Sequence, residues 1–407
     1  MSRTIKAKAK ADPLTIQKNE RVKLARYVMV LSTTMLLMLG LIMVFSASSV
    51  DALNLYGNPF HIFLEQLIWL LIGLILVALC LKLSNYKDLL QKSCPWLLIV
   101  GYLGLIAVLV PGIGQSSQGS TRWIGVSFIH VQPSELMKFV LIVLTSVSFS
   151  RLKKAPMSLK DGIMPVMACY ALAVFLIMLQ PDMGTSMVLI SILTAMLIVI
   201  GTSWKLLAKL GLILLGGIFL LAVVAPYRRA RLFSFWNPFS HPLGSGYQMV
   251  QSLVSLGSGH FFGDGLGAST AKWGFLPNDH TDFIFAVIGQ ELGLVGTVFI
   301  LILFAGLIWA GFTIASALKD RFAHLLVVGL TVWLASQAVI NVGAVIGLLP
   351  VTGIPLPFVS FGGSSLVLNL LSVGLILRAS KDFKAMYKKP SGVKPAKVVS
   401  IGSFSTY

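Results

Sequence analysis

Charge is what this 407-residue chain has little of: 11% of its residues, where a soluble domain carries about 25%. Acidic residues are scarcer still, 14 against 32 lysines and arginines. So thin a supply excludes a water-soluble enzyme of this length. Cysteine is nearly missing too. Cys80, Cys94 and Cys169 lie in or beside apolar segments, without a C-x-x-C pair. An odd number without metal spacing excludes a disulfide framework, and the three read as small packing residues. No H-x-x-x-H spacing occurs among the histidines, and no internal repeat is visible.

What the chain has in abundance is hydrocarbon. Hydrophobic residues make up 56% of it, and the mean hydropathy is +0.88. Apolar runs of about 20 residues, each long enough to cross a bilayer as a helix, recur along the length. The fold class this implies is an all-α polytopic membrane protein with about ten transmembrane helices. The expected spans are 28–48, 64–83, 94–110, 136–150, 162–179, 185–201, 206–225, 284–317, 322–349 and 359–378. The first is too long for the apolar core of a signal peptide and reads as a retained anchor. The 284–317 stretch is long for one crossing, so its first turns are expected to lie in a cavity or to tilt strongly.

The net charge of +18 raises nucleic acid as a partner, but its distribution argues for topology instead. Basic residues gather in the tail at 1–27, in alternate short loops (Lys82, Lys87 and Lys92; Arg151 to Lys160; Lys205 and Lys209; Lys319 and Arg321) and in the tail at 380–407. By the positive-inside rule both tails are cytoplasmic and 28–379 is the membrane domain; no nucleic-acid partner is expected. The C-terminal tail is expected to lie near anionic lipid. Two long connections, about 111–135 and 226–283, fall on the opposite, extracytoplasmic side, where loops of such length tend to carry function.

The polar run Leu276 to Thr281 passes straight into an apolar helix, and Asp282 stands at that junction. An ionisable group there is costly to desolvate, which makes it the first candidate for chemistry. Glu135 and Asp182 each follow a Gln-Pro step ahead of a span, so helix capping and a direct role both stand. Lys138, three residues after Glu135, either snorkels to the headgroups or pairs with Glu135 facing a cavity; the cost of isolated intramembrane charge favours the pair. Arg228, Arg229 and Arg231 suit either lipid phosphates or a diphosphate. Asp279, His280 and Asp282 invite a metal reading. A cluster within one loop is a weak cue, and the expectation is no dedicated metal site, only Mg²⁺ or another divalent cation carried with substrate phosphates. Finally, Pro350 to Ser365 interrupts an apolar region with three prolines and three glycines. Broken backbone at membrane depth survives only where protein or a water-filled cavity receives it.

The run P-x-x-G-x-P-L-P-F-x-S-x-G-G-S-S, from Pro350 to Ser365, resembles the signature of the SEDS proteins, the family of FtsW and RodA. Three further blocks agree in order: Arg122-Trp123-Ile124 through Gln132-Pro133-Ser134-Glu135-Leu136-Met137-Lys138; Gln180-Pro181-Asp182-Met183-Gly184-Thr185; and His280-Thr281-Asp282-Phe283-Ile284-Phe285. The resemblance implies a peptidoglycan glycosyltransferase polymerising lipid II on the outer face of the cytoplasmic membrane. Asp282 matches the family's essential aspartate, Glu135 and Lys138 its glutamate and lysine, and Asp182 its Q-P-D aspartate. Substrate contacts are further expected of Arg122, Arg228, Arg231, Lys272, His280, Gln251, Ser364 and Ser365. Tyr227-Arg228 through Gln251-Ser252 look more like the division branch than the elongation branch. The partners implied are a class B penicillin-binding transpeptidase and divisome membrane proteins. One departure stands out: Gln290-Glu291 replaces the family's usual Glu-Glu, where Gln290 is expected to tune packing or hydrogen bonding.

The implied reaction joins the 4-hydroxyl of an acceptor N-acetylglucosamine to the anomeric carbon of a donor muramyl unit, expelling undecaprenyl diphosphate. An α-linked donor and a β-linked product call for single-displacement inversion. Asp282 is the expected general base; an unperturbed aspartate is a weak base at neutral pH, so the role needs it partly buried. Arg228, Arg231, Lys138 and a divalent cation are expected to balance charge on the leaving group. A lipid II flippase and a non-catalytic scaffold are the competing classes. A flippase needs polar groups through the whole membrane, whereas here the non-cytoplasmic charges cluster at one face.

Overall fold

The computed structural model describes residues 13–117, 120–126, 129–152, 162–212, 216, 235–244 and 246–386. Helices dominate: α1 (Pro13–Tyr56), α2 (His61–Lys82), α3 (Tyr86–Leu109), α4 (Pro133–Ser150), α5 (Met164–Leu179) and α6 (Met183–Val199), then α7 (Tyr247–Ser258), α8 (Ile284–Ala317), α9 (Arg321–Val345) and α10 (Gly363–Met386). Seven of these are long and apolar enough to cross a membrane, and α5 and α6 are shorter apolar helices. The chain is an all-α polytopic membrane protein, and nine of the ten expected spans coincide with a helix. The remaining one, 206–225, lies largely outside the described residues, which are helical over 204–212 there.

The helices differ in how much protein surrounds them, and this orders the bundle. About four-fifths of α4 and α9 is buried (78% of each apolar window), against 22% for α2 and α3. A helix apolar on every side and buried on every side is central, so α4 and α9 form the middle. By contrast α2 and α3 present Leu64, Ile68, Leu71, Ile75, Trp96, Ile99 and Leu103 outwards, as a lipid-facing helix does. Long-range packing joins the ends of the chain: α1 lies against α8, and α2 against α10.

Two features depart from the sequence expectations, and a third gives the form of one that was expected. Helix α1 begins at Pro13, well inside the stretch assigned to the basic tail, and its 44 residues span about 66 Å, more than twice the hydrocarbon thickness. The cause is a stripe at helical spacing, Val22, Ala25, Met29, Leu36 and Met43, all buried. Its lower end is tied to α10, where Arg26 Nε donates to Ser380 Oγ at 2.8 Å and Nη2 donates to the Ser380 carbonyl. The connection before α4 holds a small antiparallel sheet, β1 (Gly114–Ser117), β2 (Ser120–Val126) and β3 (Ile129–Val131), in the order β1-β2-β3. Gly114 faces Ile124 across the first pair, and Gly125 faces His130 across the second. Lastly, α8 is broken at Gly293 (φ 67°, ψ −161°). Its first turns, Ile284 to Glu291, are buried in protein, which accounts for the length of that stretch.

The non-helical segment 350–362 crosses the interior, and side chains receive its polar backbone. Gln66 of α2 donates to the Ser360 carbonyl (3.1 Å) and accepts from the Gly362 N–H (3.3 Å). The Phe361 N–H donates to the His280 carbonyl (2.9 Å), and Ser360 Oγ accepts from the Leu356 N–H (2.8 Å). Each bond replaces one a helix would have made.

Candidate functional site

Asp282 ends the polar loop one residue before the N-cap of α8, half-buried. Its backbone is fixed from below: Asn341 Nδ2, on α9, donates to the Asp282 carbonyl at 2.8 Å and to the Ile354 carbonyl at 2.7 Å. One amide therefore ties the aspartate's turn to the Pro350–Ser365 segment. Between them lies Gly353 (φ 69°), where a Cβ would stand 3.3 Å from both Asp282 Oδ2 and Arg122 Nη1. The missing side chain lets a carboxylate and a guanidinium face the same small space, and the left-handed backbone reinforces the choice of glycine.

Arg122, on β2, is aimed by its other nitrogens. Nε donates to the Gln180 carbonyl (3.4 Å), Nη2 donates to the Pro181 carbonyl, and Nη1 lies 3.9 Å from Asp182 Oδ1. Asp182 itself is 1% exposed and caps α6, accepting from the Thr185 N–H (3.1 Å), Thr185 Oγ1 (2.9 Å) and Gln132 Nε2 (3.3 Å). Of the two readings open for Asp182, the geometry gives the cap and adds a second duty, holding Arg122.

Glu135 and Lys138 pair on α4, with Nζ 2.6 Å from Oε1 and almost no exposure (2% and 0% of the side chains). The amine also donates to Gln337 Oε1 (3.3 Å) and sits 5.1 Å from the Trp333 ring centre. Trp333 Nε1 donates to the same Gln337 oxygen (2.8 Å), and Gln337 Nε2 donates to the Pro355 carbonyl (3.1 Å) and Ser365 Oγ (3.4 Å). Ser364 Oγ accepts from the Gln132 N–H at 3.3 Å. The two serines thus join α10 to α4 and α9 beneath the mouth. Lys138 is enclosed by protein, and its amine meets Glu135 and Gln337 instead of open space.

The other expected residues are scattered. His280 contacts Asp279 and lies beside Asp51. Lys272, in the short turn Ala271–Trp273, donates to the Gly267 carbonyl of its own loop. Gln251 is half-buried on α7. Arg228 and Arg231 lie outside the described residues. Gln290 accepts from Ser269 Oγ (2.8 Å) and donates to Thr270 Oγ1 (3.1 Å), while Glu291, 0% exposed, accepts from Ser46 Oγ at 2.7 and 2.8 Å. An amide at position 290 anchors the loop by donating and accepting together, which a carboxylate cannot do. Sequence reasoning missed Gln337 and Asn341. Both are polar side chains one turn apart on a largely apolar helix, but Thr331 and Ser336 lie on the same helix, so nothing local singles the two out.

Known proteins share this arrangement of elements. The family model FTSW_RODA_SPOVE, described as a cell cycle protein, matches residues 27–385. Stage V sporulation protein E of Bacillus subtilis is 40% identical over 353 residues, 87% of this chain and 96% of the relative. A probable peptidoglycan glycosyltransferase FtsW of Coxiella burnetii is 40% identical over 358 residues, 87% and 95% of the two chains. Two solved structures superpose over most of the chain. One, described as the structural coordination of polymerization and crosslinking by a peptidoglycan synthase complex, gives a TM-score of 0.72 at 27% identity, covering 88% of this chain and 98% of that one. Thermus thermophilus RodA gives 0.62 at 27% identity, covering 87% and 96%.

Proposed function

The chain belongs to the FtsW/RodA/SpoVE family of cell cycle proteins, and on that membership we propose a peptidoglycan glycosyltransferase that polymerises lipid II during cell division. It is a multi-pass membrane enzyme. The division role rests on relatives named FtsW and stage V sporulation protein E at 36–40% identity, against 27% for the solved RodA. The mouth formed by Asp282, Arg122 and Gly353 faces outwards from the cytoplasmic membrane in this reading, with both termini inside.

The observation that carries the site is the shared approach of Asp282 and Arg122 to Gly353. Asp282 takes the proton from the acceptor 4-hydroxyl as that oxygen attacks the anomeric carbon. The bond from that carbon to the phosphate oxygen breaks, and both its electrons leave with undecaprenyl diphosphate. Inversion follows from one displacement, so no covalent enzyme intermediate is needed. Arg122, with Arg228, Arg231 and Lys272 from the large loop, balances the diphosphate charge. Glu135, Lys138, Gln337 and Ser365 hold the floor of the site in register. The polyprenyl chain lies between helices, in lipid. A class B penicillin-binding transpeptidase is the proposed partner, consistent with a similar chain solved within a peptidoglycan synthase complex.

The test is polymerisation of lipid II by the protein purified with its cognate transpeptidase, wild type against Asp282→Asn. Loss of glycan in the variant, which keeps size and removes charge, is the expected outcome. Normal polymerisation by Asp282→Asn would move the base to Glu135, Asp182 or Asp279. Lipid II flipping by a wild type that makes no glycan would replace the enzyme with a transporter.

A further inference from the structure

Two residues before Asp282, the structure assembles a set of ligands drawn from distant parts of the chain. Asp51 near the end of α1, Asp279 and His280 place one ligand atom each within 4.8 Å of one another. His280 Nδ1 lies 2.9 Å from Asp279 Oδ1 and 4.0 Å from Asp51 Oδ2. Ligands on one ion with bonds of about 2.0–2.4 Å can stand no more than about 4.8 Å apart, so the spacing suits a single divalent cation.

A second observation concerns charge. Asp279 has 3% of its side chain exposed, yet among the described residues its sole ion-pair partner is the neighbouring histidine. Its Oδ1 takes both the His280 backbone N–H (2.7 Å) and the ring nitrogen (2.9 Å). No lysine or arginine nitrogen among those residues pairs with Asp51 or Asp279; Arg122 is held by Asp182 and Lys272 by the Gly267 carbonyl. Two carboxylates face one imidazole; Asp279 is buried, whereas Asp51 has 40% of its side chain exposed, so the charge that the imidazole leaves unmatched stands where a cation can reach it from outside.

We propose that Asp51, Asp279 and His280 bind a divalent cation of the Mg²⁺ or Mn²⁺ class at the mouth, leaving coordination positions open for phosphate oxygens. Two carboxylates favour a hard ion, and such ions keep several sites for water or substrate phosphate. The diphosphate as occupant of those sites rests on the polymerase reading; the cation itself does not.

The experiment is a Mn²⁺ titration of the full-length protein in detergent, without lipid II, followed by electron paramagnetic resonance. Expected is one saturable site, weakened at least about tenfold in Asp51→Asn, Asp279→Asn and His280→Gln, and unchanged in Asp264→Asn, an exposed acid of the same loop. Thermal melts establish that each variant is folded. Absence of saturable binding in the wild type, or equal binding in all four variants, overturns the site. Undecaprenyl diphosphate added to the Mn²⁺-loaded wild type is then expected to alter the signal; an unaltered signal overturns the diphosphate role alone. Since binding is read without turnover, failure of the polymerase reading leaves a distinct signature: a bound ion in a protein that makes no glycan.

Discussion

The Lys138 amine reaches Glu135, Gln337 and the Trp333 ring and no solvent, while Glu135 Oε2 finds no hydrogen-bond partner among the described residues. Removing one member of such a pair strands a buried charge, at a cost of about 3–5 kcal/mol, whereas removing both costs much less. Lys138→Met should therefore lower the melting temperature in detergent further than the double variant Glu135→Gln with Lys138→Met. A double variant that melts lower still would mean the pair itself holds the fold. Asn341 gives a different kind of prediction, because its two hydrogen bonds position Asp282 without touching substrate. Asn341→Ala is expected to reduce kcat at least about tenfold with little change in KM, since small displacements of a reacting group cost that much. A matching loss in KM would make Asn341 a binding residue instead. Glu135 with Lys138 was legible from the sequence because three residues on one helix must be neighbours. Gln337 was not, since it meets Lys138 across 199 positions and no local rule links them.

At the scale of elements, the break in α8 shows how irregular backbone is made stable. Gly293 adopts a conformation open to glycine alone, and the backbone groups freed there bond the preceding loop. Leu294 and Val295 donate to the carbonyls of His260 and Phe261 (3.0 and 3.2 Å), and Asp264 and Gly265 donate to those of Gln290 and Glu291 (2.9 and 3.1 Å). A Cβ on residue 293 would collide with the backbone of Phe261 and Gly263. Gly293→Ala should release the loop, read as faster amide hydrogen exchange over residues 259–269 with the core of α9 still protected. Unchanged exchange in that loop would show that the kink can be absorbed elsewhere. The excess length of 284–317 was visible in the sequence, but not the loop that fills its break. Likewise the β-meander before α4 escaped notice, since a few short strands leave no periodicity to read.

Across the whole molecule, the charge asymmetry makes a prediction about sidedness. With the native cysteines replaced, Lys272→Cys is expected to react with a membrane-impermeant maleimide added to intact cells, and Lys319→Cys only after permeabilisation. The reverse pattern would invert the topology and move the Asp282 mouth to the cytoplasm. The all-α polytopic class was legible because hydrocarbon runs are long and repeat, and nine of the ten expected spans meet a described helix; which helix meets which was not legible. Hydropathy fixes how many crossings occur, and side-chain packing at distances of hundreds of residues fixes their arrangement.

That arrangement has a consequence for how the protein is made. Ser46 on α1 bonds Glu291 on α8, 245 residues later, and Gln66 on α2 bonds Ser360, 294 residues later. At about 5–20 residues per second, roughly 12 to 50 s of translation separate Ser46 from its acceptor. Through that interval the first two helices stand in the bilayer with polar groups awaiting partners the ribosome has not yet produced. The nascent chain is thus a substrate for whatever insertion machinery shields polar side chains from lipid, and its fold closes only when its last third arrives.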